Sequence, residues 1–167
     1  MGIERNRYGQ ILINMPTGSK TGIKNAEIIT ELNLWNRQAK LGYVFDSSTG
    51  FALPTQPESS VRSPGAAWVQ KNRWDGLTKE QQAKFAPLCP DFVVELLSEN
   101  DYWEEIAEKI QEYMACACQL AWQIDADNQR LMMYRVNGAQ TEINGSNQKI
   151  SGEETLPGFE FDLHLLL

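Results

Sequence analysis

The sequence predicts an α/β fold, in which a central mixed β-sheet is flanked by helices. The stretch 90–98 (PDFVVELLS) carries apolar residues on both faces, which is typical of a strand inside a sheet that is covered on both sides. An amphipathic helix pattern follows this strand, and another lies near the N-terminus. Short strand patterns fill most of the remaining chain, which favours a sheet with helices packed against it.

The elements can be placed in order along the chain. Residues 1–9 are polar and predict a frayed or loosely paired start. Apolar residues at helical spacing predict a helix over 22–40 and a second one from Asp101, which has the pattern of a capping box with Glu104. A helical excursion is predicted over 71–87, and 46–50 (DSSTG) reads as a hairpin turn. The predicted strands are 10–15, 43–45, 51–53, 62–69, 90–98, 120–124, 131–136, 141–143 and 159–166.

Length and composition predict one domain, 1–167, with a substantial core. No run is long and apolar enough to span a bilayer, and the first residues lack a secretory pattern. The three cysteines form no CxxC pair, so we expect neither a zinc site nor disulfides, and a cytoplasmic location. The net charge of −7 argues against strong non-specific DNA binding. A local basic surface would have to come from Lys20, Lys24, Arg62, Lys71 and Arg73.

Glu95 is the first candidate for chemistry. In strand geometry it shares one face with Asp91, in the middle of an otherwise apolar strand. Burying an unpaired charge costs several kcal/mol, so Glu95 must meet a metal, a cation or a proton. A structural ion pair and a functional acid both remain open at this point.

Lys109 is the second candidate. At about 100° per residue it lies about 40° outside the edge of its helix's apolar stripe, at Tyr113. Its stem can follow the core while the ammonium points towards the sheet and Glu95. The alternative is a solvated lysine paired with Glu105, one turn earlier in the helix.

The pattern GFALP…RSPGAAWV…CPDFVVELLS…EKIQEY…LPGF resembles the Uma-two family of restriction endonucleases, within the PD-(D/E)XK nuclease superfamily. The likeness runs from about Pro16 to the C-terminus. It implies a restriction-endonuclease-like fold, often a homodimer, and a DNA endonuclease that hydrolyses phosphodiesters with Mg²⁺ or Mn²⁺. Glu95 matches the family's metal-binding glutamate, Lys109 its helical lysine, and Asp91 the aspartate of the second Pro-Asp.

One position departs from the family pattern. The resemblance implies a metal-binding aspartate after Arg-Ser-Pro, where this chain has Gly65. Mg²⁺ prefers oxygen ligands in octahedral geometry, so loss of a carboxylate should weaken metal binding and activity. Asp91 is a substitute ligand on the same strand face as Glu95. Two hypotheses therefore stand: a Mg²⁺-dependent endonuclease that is weakened or inactive, or a non-catalytic dimeric binding or scaffold protein with the same fold.

Overall fold

The computed structural model describes residues 2–167. Its centre is a six-stranded mixed sheet in the order β10-β9-β8-β7-β6-β3, in which only β7 and β8 are paired in parallel. This confirms the predicted fold class. The strands are β1 (Gly2–Arg5), β2 (Ile11–Asn14), β3 (Gly42–Asp46), β4 (Phe51–Leu53), β5 (Ser60–Arg62), β6 (Ala66–Gln70), β7 (Phe92–Leu96), β8 (Leu120–Asp125), β9 (Arg130–Arg135), β10 (Gln140–Asn144), β11 (Lys149–Ser151) and β12 (Glu160–Asp162).

Helices cover both faces of this sheet. The helices are α1 (Ser19–Ala39), α2 (Lys71–Asp75), α3 (Lys79–Gln82), α4 (Trp103–Ala115) and a final 3₁₀ helix (Leu163–Leu166). Ile28 and Leu32 of α1 pack on one face, in a core that contains Phe92 and Val94. Ile110 and Tyr113 of α4 pack on the other face with Val93. Strand β7 is thus buried on both sides, as its sequence predicts.

A second sheet of four strands has the order β2-β1-β5-β4. The prediction of a frayed N-terminus is wrong for residues 2–5, because β1 pairs with β2 along its full length and with β5 at Arg5. The predicted hairpin between 43–45 and 51–53 is also wrong. Strand β3 pairs with β6 in the large sheet, while β4 pairs with β5 in the small one. The DSSTG turn therefore passes the chain from one sheet to the other.

The structure also differs from the prediction at the start of α4 and in the last predicted strand. The N-cap of α4 is Tyr102, and the Asp101 carboxylate instead accepts hydrogen bonds from the backbone N–H and hydroxyl of Ser98. The last predicted strand splits into β12 and the 3₁₀ helix, because the Asp162 carboxylate accepts a hydrogen bond from the His164 N–H and caps that turn. The three cysteines are free thiols, as expected. None of the helices within residues 2–167 has the length and apolar character needed to cross a membrane.

Candidate active site

Strand β7 places Glu95 under helix α4. Side chains alternate along a strand, so Glu95 shares the α4-facing side with Val93, while Val94 faces α1. The Glu95 side chain is 7% exposed. A carboxylate at this depth requires partners, and the helix above it supplies two of them.

Lys109 is the first partner of Glu95. Its Nζ lies 2.9 Å from Glu95 Oε1, which is one of the two pairings that the sequence left open; the pairing with Glu105 is not formed. The same Nζ lies 3.0 Å from Glu4 Oε1 and 2.8 Å from the carbonyl oxygen of Ser63. An ammonium has three N–H donors, so these three oxygens use all of them.

Glu4 was missed by the sequence reasoning. It lies on β1, in the segment expected to be loose, and its side chain is 4% exposed. The hairpin of β1 and β2 is inverted relative to its pattern: Ile3 and Ile13 face outwards and Glu4 faces the site. Periodicity alone assigns the apolar side to the core, so no local signal could have identified Glu4.

Arg62 and Glu112 extend the charged cluster. Arg62 donates from Nε and Nη2 to the two carboxylate oxygens of Glu112, at 2.9 and 2.8 Å, and from Nη1 to Glu4 Oε2 at 3.0 Å. All of these side chains are less than a tenth exposed. The pKa of Glu112 is lowered, because its bonds to Arg62 outweigh the opposing effect of burial.

The cluster therefore sets three carboxylates against two cations. Burial, supported by the nearby Glu4 charge, raises the pKa of Glu95 above 4.5 although Lys109 opposes the shift. The pKa of Lys109 is raised too: burial favours the neutral amine, but the charges of Glu95 and Glu4 outweigh it. The pKa values of Glu95 and Lys109 can both be raised because the cluster contains one more carboxylate than cations. Tyr113 donates its hydroxyl to Glu95 Oε1 at 3.1 Å, and burial raises its pKa, so it is a neutral donor.

Asp91 is not brought to Glu95. It lies four residues earlier, about 13 Å along an extended strand. Its carboxylate accepts a hydrogen bond from Arg73 Nη1 at 2.6 Å and one from the Gln70 N–H at 2.8 Å. These contacts tie β7 to the start of α2. These contacts indicate a structural role for Asp91, at the opposite end of β7 from Glu95.

Gly65 lies just before β6, opposite the Glu95 end of β7. A Cβ built on Gly65 would lie 3.0 Å from the Val94 carbonyl oxygen and 3.2 Å from Asn25 Oδ1 on α1. Asn25 donates its amide to the Gly65 carbonyl at 3.1 Å, while its own Oδ1 is buried without a hydrogen-bond partner in residues 2–167. A side chain at position 65 would thus need its neighbours to shift by a few tenths of an ångström.

This arrangement does not fit a Mg²⁺ ion. The metal needs carboxylate oxygens that are free to bind it in octahedral geometry. Gly65 supplies no side-chain oxygen, and the Lys109 ammonium already lies where oxygens of Glu95, Glu4 and Ser63 converge. Among residues 2–167, no three His, Cys, Asp or Glu side chains are grouped so that they could hold a metal. Each carboxylate of the cluster instead contacts Arg62 or Lys109.

The five cations proposed as a local basic surface are each paired with an acid. Lys20 and Lys24 both lie 2.8 Å from Asp127, and Arg62 is inside the site. The remaining pairs are Lys71 with Asp75 and Arg73 with Asp91. These residues therefore do not form an unneutralised surface for phosphate groups.

Comparison with known families adds an independent observation. The Uma-two family (Uma2), described as "Putative restriction endonuclease", matches residues 3–164. This chain belongs to the Uma-two family. The match begins at β1, so it includes Glu4 as well as Glu95 and Lys109, and it confirms the resemblance drawn from the motifs. No protein in the curated set matches the sequence.

A solved structure has the same fold as this Uma-two protein. It is a crystal structure described as a putative nuclease belonging to DUF820, from Anabaena variabilis, with a TM-score of 0.81 and 17% sequence identity. The superposition covers 98% of this chain and 88% of the other. The likeness confirms the α/β architecture over nearly the whole length of the chain.

Proposed function

We propose that this Uma-two protein is a nuclease-fold protein whose Mg²⁺-dependent DNA endonuclease activity is weak or absent. One observation carries the proposal: all three donors of the Lys109 ammonium are bound by Glu95, Glu4 and the Ser63 carbonyl. A nuclease site needs carboxylates free for a metal and a lysine free for the phosphate. Here the carboxylates and the lysine neutralise each other.

Position 65 gives the test of this proposal. We expect the wild-type protein to leave supercoiled plasmid intact with Mg²⁺ or Mn²⁺, and Gly65→Asp to cut it in a metal-dependent way. Gly65→Asn is the matched control, because it meets the same contacts with Val94 and Asn25 without adding a charge. Cleavage by the wild-type protein as fast as by Gly65→Asp would contradict the proposal. If Gly65→Asp folds but gains neither metal binding nor cleavage, Gly65 is not the cause of inactivity.

A second candidate function is a non-catalytic homodimeric binding protein. The outer face of the β1–β2 hairpin favours it, because Ile3, Ile11, Ile13 and Met15 are each more than half exposed there. Strand β2 is also the edge of its sheet, where a second copy can pair with it. Two-fold pairing of β2 with its copy would set the same isoleucines of both chains against each other.

Sedimentation analysis tests this second candidate. We expect the wild-type protein to sediment as a dimer and Ile13→Lys to sediment as a monomer, since a charge in the centre of an apolar interface is costly to bury. Ile23→Lys, an exposed isoleucine on α1, is the matched control and should leave the dimer intact. A monomeric wild-type protein contradicts the dimer. DNA binding by the dimer without cleavage would identify DNA as the partner; no binding would exclude DNA.

A further inference from the structure

The surroundings of the Lys109 ammonium resemble those of a bound metal ion. Its three partners are two carboxylate oxygens, from Glu95 and Glu4, and one backbone carbonyl oxygen, from Ser63. Carboxylate and carbonyl oxygens are the donors that Mg²⁺, Mn²⁺ and Ca²⁺ prefer. The donors come from β7, from β1 and from the loop that follows β5, so three separate parts of the chain converge on one cation.

We propose that in this chain, which has glycine at position 65, the Lys109 ammonium replaces a divalent cation, and that its side chain keeps metal out of the site as long as position 65 supplies no further carboxylate. The proposal goes beyond weak or absent cleavage, because it states what holds the two carboxylates together in the absence of a metal. The Lys109 side chain is only 12% exposed, so the ammonium meets these oxygens where little solvent reaches it.

The charges agree with this replacement. Glu4, Glu95 and Glu112 face Arg62 and Lys109, which leaves one negative charge in excess. A divalent cation in place of the ammonium would balance the three carboxylates together with Arg62. The oxygens lie 2.8 to 3.0 Å from Nζ, whereas Ca²⁺ binds oxygen at about 2.3–2.6 Å and Mg²⁺ at about 2.0–2.1 Å. The oxygens would have to move less to bind Ca²⁺ than to bind Mg²⁺, so the proposal favours Ca²⁺ over Mg²⁺. Mn²⁺, which prefers the same oxygen donors, serves as the spectroscopic probe.

Removal of the lysine should therefore open a metal site. We expect Lys109→Ala to bind one equivalent of Mn²⁺, measured by the loss of the free-ion signal in electron paramagnetic resonance, and to gain thermal stability with Mn²⁺. We expect wild type to bind at least tenfold more weakly. Lys109→Met is the matched control, because it loses the same charge but keeps an apolar side chain of similar length. The Mn²⁺ affinity of Lys109→Met should resemble that of wild type.

A second pair of variants locates the ion. Adding Glu95→Gln or Glu4→Gln to Lys109→Ala should weaken Mn²⁺ binding at least tenfold, whereas Glu80→Gln, an exposed acid on α3, should not. Each binding measurement omits DNA, so its outcome is separate from that of the cleavage assay. Wild-type binding as tight as that of Lys109→Ala overturns the proposal, and so does tight binding by Lys109→Met.

Folding gives a further readout if Lys109→Ala is unstable without metal. In that case Mn²⁺ or Ca²⁺ should restore its circular dichroism spectrum and its cooperative unfolding, because the ion replaces the missing charge. A Lys109→Ala protein that neither binds Mn²⁺ when folded nor refolds with Mn²⁺ or Ca²⁺ refutes the replacement of a metal by the ammonium.

Discussion

Arg62 provides the sharpest test of the charged cluster. Arg62→Met keeps a long apolar side chain but removes the guanidinium that bridges Glu112 and Glu4. Glu4 retains Lys109 and the Ser63 N–H, at 3.0 and 3.1 Å. Glu112 retains one weaker contact, with the Arg7 N–H at 3.3 Å. The loss therefore falls mainly on Glu112, which becomes a buried carboxylate without a cation.

The expected magnitude follows from this loss. Breaking a buried ion pair by removing one partner costs about 3–5 kcal/mol. For a chain of this size, each kcal/mol lowers the melting temperature by about 2–4 °C, so we expect a fall of about 10 °C. In urea, with a slope of about 2 kcal/mol per molar, the midpoint should fall by about 1.5–2.5 M. Both quantities are measured by circular dichroism on purified protein.

Two further variants separate the ion pair from general damage. Lys84→Met removes an exposed lysine from its pair with Glu80, and the free energy of unfolding should change by less than about 1 kcal/mol. The double variant Arg62→Met with Glu112→Met removes both charges, so it should recover part of the single-variant loss. A cost below about 1 kcal/mol for Arg62→Met, or strictly additive costs in the double variant, would refute the proposed coupling.

The remaining predictions concern Glu95 and Glu112, two acids of the cluster whose pKa values are shifted. Glu95→Gln should fold and lie within about 1 kcal/mol of wild type at pH 7.5, because it leaves two carboxylates facing two cations; a much larger loss in urea unfolding would show that the Glu95 charge is structurally essential. Since the pKa of Glu95 is raised, its protonation stabilises the fold below pH 4.5, and this contribution is lost as the pH rises through the folded pKa. Glu95→Gln should therefore show a flatter stability profile than wild type above pH 4.5. The pKa of Glu112 is lowered, so its contribution is present above pH 4.5 and is lost as the pH falls further. Glu112→Gln should flatten the profile below pH 4.5, by up to about 1.4 kcal/mol per pH unit, and an unchanged loss of stability in acid would contradict the assignment.

Local pattern was sufficient to predict half of the site. Apolar residues on both faces of β7 identified a buried strand, and helical spacing placed Lys109 beside the buried stripe of α4. A strand followed by a helix that packs back on it brings Glu95 and Lys109 together over a short stretch of chain. The contact at 2.9 Å therefore follows from elements that are close in sequence.

The other half of the site depended on contacts between distant parts of the chain. Glu4 is 105 residues from Lys109, and Arg62 is 50 residues from Glu112. In β1 the side-chain pattern even points the wrong way, since Ile3 faces outwards and Glu4 inwards.

The sequence by itself predicted the fold class and the buried acid Glu95. It left Lys109 open between Glu95 and Glu105, and only the family resemblance implied that a carboxylate is missing at Gly65. The tertiary structure alone decided that the N-terminal strand completes the cluster and that the lysine's three donors are all taken. The physical reason is that a buried charge must find partners, but the sequence does not say which of the distant charged groups will be near enough to pair with it.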